Sequence, residues 1–129
     1  MKAIIAVNKL DYIGLNDSLP WRCSEDLRHF KKMTDGGTLL VGYNTSQKMP
    51  PLPGRTVIVD ERGVILTEGI DWCIGGKKTY EKYAHLFTEL HISRISNESE
   101  GDTLYPDLLA LNPDCKIFEY QFSENPPKV

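Results

Sequence analysis

"DWCIGGKKTYEKY", Asp71 to Tyr83, joins a short apolar run to two glycines and then to a helical candidate. Reading Asp71–Gly75 as a strand and Lys77–Tyr83 as a helix makes one βα unit, and the fold class depends on whether the chain repeats it. It does. Apolar and β-branched runs bounded by turn residues recur at Ala3–Val7, Thr38–Tyr43, Thr56–Asp60, Glu89–Ile95 and Lys116–Phe122, with helical candidates at Ser24–Met33 and, shorter, at Asn44–Lys48. The alternation predicts an α/β fold, one domain over residues 1–129, built on a central mixed, mostly parallel sheet flanked by helices. The first four runs are continuously apolar, as expected of central strands covered on both faces. "HISRIS" and "IFEYQF" alternate polar with apolar residues and are expected to be antiparallel strands near an edge. "SENPPKV", residues 123–129, reads as a loose tail.

The balance of 40% hydrophobic and 26% charged residues in 129 suits one soluble globular domain. A net charge of -3 without a long basic run argues against a nucleic-acid binder. Cys23, Cys73 and Cys115 are odd in number and lack the paired spacing of a zinc site, so reduced thiols are expected. His29, His85 and His91 show no pair at ligand spacing, which predicts no metal. His29 and His85 are expected on solvated helix faces. No apolar run has the length of a membrane span, and the first residues carry too short an apolar segment for a signal peptide. A cytoplasmic protein with no membrane partner is the expectation.

Three stretches could carry chemistry. In "SLPWRCSEDLRHF", Ser18 to Phe30, a helix numbered from Ser24 places Asp26, Phe30 and Met33 on one side with Leu27 beside them. An acid therefore points along the apolar face, where an unpartnered carboxylate costs several kcal/mol. The plain alternatives are a first-turn acid favoured by the helix dipole and, for Trp21, a core tryptophan. In "IGGKKTYEKY", Ile74 to Tyr83, the glycines let backbone approach a ligand, and Lys77 and Lys78 oppose the helix dipole unless an anion sits there. The alternative is a glycine turn with two solvated lysines. In "PPLPGRTVIV", Pro50 to Ile58 with the following valine, a stiff turn delivers Arg55 to the start of a strand, where it could clamp a carboxylate or simply face solvent.

In order and spacing, "IGLNDSLPW", "EDLRHFKKMT", "VGYNTSQKM", "LPGR", "IGGKKTYEKY" and "EGDTLYPD" closely resemble the successive motifs of dihydrofolate reductase. The match covers most of the chain to about Asp107. The resemblance implies reduction of 7,8-dihydrofolate by hydride from NADPH, with NADH possible as an alternative donor. It matches Asp26 to the acid that faces the pterin, with Trp21 and Ser93 in the same catalytic group. Ile4, Ile5, Leu27, Phe30, Met49 and Leu52 match the apolar walls around the substrate, and Arg55 the clamp on its α-carboxylate. Ala6, Ile13, Leu19, Ile74 and Tyr80 match the nicotinamide surroundings, with Asn16 to Trp21 in a mobile loop. Gly42, Tyr43, Thr45 and the segment Gly75, Gly76, Lys77, Lys78 and Thr79 match the rest of the cofactor site. In this family the two glycines are joined by a cis peptide. A monomer is the family's usual state, and the shortened C-terminus leaves a dimer open.

The chain also departs from the pattern. The family commonly places an arginine after the glycine of "VGYN" and serine or threonine after the "VIV" strand, for the 2′-phosphate of NADPH; here stand Tyr43, Asp60 and Glu61. Two acids would repel that phosphate, which predicts a weakened preference for NADPH. The connection from "VIVDERG" to "DWCIGG" is too short for the usual helix and strand by the adenine, and the chain stops before the usual last strand. Two competing readings follow: a binding or structural protein that has lost turnover, and a pyrimidine reductase of riboflavin synthesis. The intact Asp26, Arg55 and Gly75–Gly76 set argues against the first. Arg55 argues against the second, whose substrate has no glutamate tail to clamp.

Overall fold

The computed structural model describes residues 1–126. Its strands are β1 (Lys2–Asn8), β2 (Tyr12–Gly14), β3 (Thr38–Val41), β4 (Thr56–Val59), β5 (Trp72–Cys73), β6 (Glu89–Ile95), β7 (Thr103–Leu104) and β8 (Lys116–Phe122). Its helices are α1 (Ser24–Thr34), α2 (Tyr43–Lys48), α3 (Lys77–Tyr83), continued by a 3-10 turn, and α4 (Leu108–Leu111). Six strands form one sheet in the order β4-β3-β5-β1-β6-β8. β2 and β7 make a separate antiparallel pair.

Among the described residues every ladder of the large sheet is parallel. The antiparallel expectation for the last two strands is therefore corrected. β8 lies along β6 in register from Glu89 opposite Lys116 to Ile95 opposite Phe122. The connection between them carries α4 and is long enough for a crossover, so the chain returns in the same direction. The polar alternation has a different meaning on each strand. β8 is an edge strand with exposed positions, whereas the polar residues of β6, His91 and Ser93, are buried beneath α1.

The sheet has two apolar faces. On one, Ala3, Ile5, Val7, Leu90 and Ile92 pack with Tyr80, Tyr83 and Phe87 from α3 and its continuation. On the other, Ile4, Leu39 and Trp72 meet Phe30 and Met33 of α1. Full burial of each leucine or isoleucine contributes about 1.5–3 kcal/mol. The α1 face continues outward as a row of rings, Trp72, His91, Phe118, Tyr120 and Phe122.

Two further expectations are corrected. His29 is not on a solvated face: its ring lies against Tyr120, with centroids 4.2 Å apart, and Phe122, at 5.3 Å, because β8 lies beneath that side of α1. His85 is exposed. Residues 123–125 are tied down: the Asn125 amide donates to the Arg22 carbonyl at 2.7 Å, and the Ser24 amide donates to Asn125 Oδ1 at 2.9 Å. Cys23, at the N-cap of α1, makes no side-chain cap, so a residue from the far end of the chain satisfies the helix. The last three residues of the expected tail, 127–129, lie outside the described residues. Between β4 and β5 there is no helix or strand among the described residues, in line with the short connection. No helix among the described residues is long and apolar enough to cross a membrane, and no group of three His, Cys, Asp or Glu among them could hold a metal.

Candidate active site

A cleft of about 720 Å³ opens between α1, α2 and the loop that follows β2. Ile4, Ile5 and Ala6 of β1 form its floor, Leu27 and Phe30 of α1 one wall, and Met49, Pro50 and Leu52 its outer rim. Ile13, Leu19 and Trp21 reach in from the loop side. This loop is a tight hairpin: Leu15 and Ser18 pair, and Asn16 and Asp17 take φ values of 52° and 62°. Both central residues with positive φ make a type I′ turn, for which Asn and Asp are suited. Asp102 fastens the hairpin by accepting the Asn16 amide at 2.9 Å, and that bond holds its carboxyl below the usual aspartate value.

Asp26 is the buried carboxylate of the lining, at 9% exposure; Asp17 at the lip is exposed. The helix period puts it there, on the same side as Phe30. Burial raises its pKa above the ordinary value, partly offset by the Ser93 hydroxyl and by His29. Ser93 lies behind the cleft wall, close enough to favour the Asp26 anion but outside hydrogen-bonding geometry. Trp21 Nε1 and Ser93 Oγ are both buried without a partner. Buried polar groups are nearly always paired, so an acid in the cleft wall with an unpaired donor and hydroxyl packed around it marks the polar end of the cleft.

Beside this pocket the backbone forms a cradle. The Gly42 amide donates to the Gly75 carbonyl at 2.7 Å, and a Cβ on Gly42 would stand 2.5 Å from Thr79 Oγ1. Gly75 has φ +110° and lies on the Tyr80 ring, which is fixed from below by its hydroxyl donating to the Ile4 carbonyl at 2.6 Å. The Gly75–Gly76 peptide is cis. Thr45, Ile74, Gly76, Lys77 and Tyr80 line the cleft here. Of these glycines Gly76 reaches the cleft, where main chain without a side chain over it suits a phosphate-bearing ligand.

The structure thus brings together most of the residues singled out from the sequence, and sets some apart. Gly42, Gly75 and Thr79 lie behind the lining, and Tyr43 and Lys78 are exposed. Arg55 is outside the lining; it donates through Nε to Thr34 Oγ1 (3.1 Å) and through its terminal nitrogens to the Pro53 and Lys31 carbonyls (2.8 and 2.7 Å). Three bonds leave two of its five N–H groups free. Asp60 does not stand as a free repelling charge. Its carboxylate accepts from Lys82 Nζ at 2.9 Å and from the Tyr83 hydroxyl at 2.7 Å, a pairing no local pattern announces. The lining also includes Arg22, Lys48, Thr103 and Asn125, none of them singled out beforehand. Thr103 belongs to the "EGDTLYPD" motif and could have been found from it; Asn125 sits in a stretch with no signal at all.

An α/β sheet with a cleft at the carboxyl ends of β3 and β5, holding one buried acid beside a glycine cradle, is the arrangement of an α/β enzyme with its site at the strand ends. The dihydrofolate reductase family model matches residues 1–71. Among curated proteins, dihydrofolate reductase type 9 of Escherichia coli is 30% identical, covering 80% of this chain and 74% of its own length. Dihydrofolate reductase of Haemophilus influenzae is 29% identical over 94% of this chain and 84% of its own. A solved dihydrofolate reductase from Enterococcus faecalis, complexed with NADP(H) and RAB-propyl, superposes with a TM-score of 0.70 at 29% identity, over 82% of this chain and 76% of that one. The chain belongs to the dihydrofolate reductase family.

Proposed function

We infer that the chain reduces 7,8-dihydrofolate to 5,6,7,8-tetrahydrofolate with NADPH and a proton. The observation that carries this is the buried carboxylate of Asp26 in an apolar cleft beside the glycine cradle. NADPH supplies a hydride when bound; everything else falls to the chain's own residues. Asp26 accepts hydrogen bonds from the amino group and ring nitrogen of the pterin, which provide the partner its burial lacks, and it favours positive charge on the ring as N5 takes a proton. Trp21 borders that polar edge, and Ser93 Oγ favours the Asp26 anion from behind the cleft wall. Leu27, Phe30, Met49 and Leu52 hold the rings and exclude water, which strengthens the Asp26 interaction. Thr45, Gly76 and Lys77 hold the dinucleotide, with Gly42, Gly75 and Thr79 setting the backbone behind them. The cleft is built from one chain, so a monomer suffices.

Arg55 clamps the substrate's α-carboxylate with its two free N–H groups. Arg55→Met is expected to raise KM for dihydrofolate by about 10- to 100-fold, the loss of a charge-assisted pair, with kcat within about threefold. Dihydropteroate, which lacks the glutamate, should not distinguish the two proteins in steady-state assays. Equal KM values for dihydrofolate would remove Arg55 from the site.

The test of the function is NADPH oxidation by purified protein, dependent on dihydrofolate, repeated with NADH. Turnover with NADPH is expected, and a folded protein inert with both donors would overturn the reading. Tyr43 and Glu61 weaken the hold on a 2′-phosphate, but Asp60 is matched by Lys82, so the preference is reduced rather than reversed. A kcat/KM ratio of NADPH to NADH under about 100 is expected; complete discrimination would refute the weakening.

A further inference from the structure

A second cluster of titratable groups lies behind Asp26 on the α1 face of the sheet, and the reaction described above leaves it unused. At its outer end His91 is fully engaged. Its Nδ1 is 2.9 Å from the Tyr120 hydroxyl, its Nε2 is 2.9 Å from Glu89 Oε1, and its ring stacks on Phe118 with centroids 4.5 Å apart. His29 is placed differently. It sits three residues after Asp26 on α1, so the two side chains lie on neighbouring positions of one helix face. Its ring is packed on Tyr120 and Phe122, and its Nε2 is buried with no protein partner.

The groups facing His29 can be named element by element. Its own helix contributes Asp26 and Lys32; β6 contributes His91, with Glu89 and the Ser93 hydroxyl on the same side of that strand; β8 contributes the Tyr120 phenol among phenyl rings. Glu89 is engaged by His91, which leaves Asp26 as the carboxylate that favours a cation on His29. We propose that His29 is a positioning residue acting through Asp26: as a cation it holds Asp26 in its carboxylate form and opposes positive charge on a bound pteridine, and as a neutral ring it leaves Asp26 to that ligand. This rests on the reading of Asp26 as the pteridine's partner.

The sign follows from the surroundings. Burial disfavours the His29 cation, and His91 and Lys32 oppose it, so despite Asp26 it titrates on the acid side of the ordinary imidazole value. It is therefore neutral at pH 8 and charges only as the pH falls below the ordinary imidazole value, and because coupling is reciprocal, each of the pair Asp26 and His29 steadies the ionised form of the other. The gain in rate that acidity brings by protonating the substrate is then cut short.

His29→Phe keeps a ring for Tyr120 and Phe122 and cannot charge. Its kcat/KM for dihydrofolate is expected to match the native enzyme within about twofold at pH 8 and to exceed it by about 3- to 10-fold near pH 5, a coupling of roughly 0.5–1 pH unit. His29→Gln, neutral but not aromatic, should give the same profile shape, which a packing role would not produce. The second measurement needs no turnover: histidine ring titrations by NMR in the native protein and in Asp26→Asn. The His29 midpoint should fall by about 0.5 pH unit or more in Asp26→Asn. An unmoved His29 midpoint, or native and His29→Phe profiles that superimpose from pH 5 to 8, would overturn the proposal. A shifted midpoint in a protein without reductase turnover would instead locate the failure in the functional reading and end the positioning role proposed for His29.

Discussion

Asp26→Asn will lose turnover and gain stability: kcat/KM for dihydrofolate at pH 7 falls by about 10²- to 10⁴-fold, the usual worth of a group engaged in proton transfer, while the protein melts a few degrees higher. Asparagine keeps the shape and one acceptor oxygen. It cannot carry the negative charge that favours a cationic ring. The stability gain comes from the same burial. A carboxylate whose folded pKa is raised costs stability at every pH above that raised value, and the cost disappears below the unfolded value of about 3.9. The advantage of asparagine over aspartate should thus be largest near pH 7–8, at about 1 kcal/mol or roughly 4 °C, and fade toward pH 4. Assays of NADPH oxidation and thermal melts at both pH values check the two halves separately. A variant that still turns over would remove Asp26 from the chemistry, and one less stable than the native protein at pH 7 would show that its burial carries no such cost.

Gly75→Ala is expected to destabilise the fold by about 3 kcal/mol, from two sources of similar size. One is a φ of +110°, which an L side chain rarely adopts. The other is crowding: the new Cβ would stand 3.0–3.2 Å from the Tyr80 ring, which cannot retreat because its hydroxyl is bonded to Ile4 and the ring is buried. Gly36→Ala separates the two sources. Gly36 has φ +72° and open space around its would-be Cβ, so it should cost about 1–2 kcal/mol. Urea unfolding of both variants measures the difference, and NADPH titration should show at least a tenfold weaker complex for Gly75→Ala alone. Equal costs would mean that the Tyr80 ring yields.

Much of the molecule was legible locally. The six main strands and three of the helices follow from apolar runs, turn residues and the period of the helix, and the boundaries of β6, β8 and α3 were read from the sequence to the residue. The acid on the apolar side of α1 was legible for the same reason, since helical spacing alone carries Asp26 to the side that Phe30 occupies. The short pair β2–β7 was not legible, because neither strand has enough residues to show a period.

What the amino-acid sequence determined by itself, then, is everything governed by neighbours a few residues apart: the order of strands and helices, the glycine pair after β5, and the acid turned inward. What only the tertiary structure decided depends on groups far apart in the chain. The direction of β8 is invisible to a period of two, which is the same for parallel and antiparallel ladders. The polar residues of β6 look like a wet face until α1 covers them. Asn125 caps a helix a hundred positions earlier, Lys82 neutralises Asp60 across 22 positions, and His29 leaves solvent only because β8 lies beneath it. Each is a hydrogen bond, ion pair or ring contact made once the sheet is assembled, and a local pattern records side-chain spacing but not which distant group will arrive beside it.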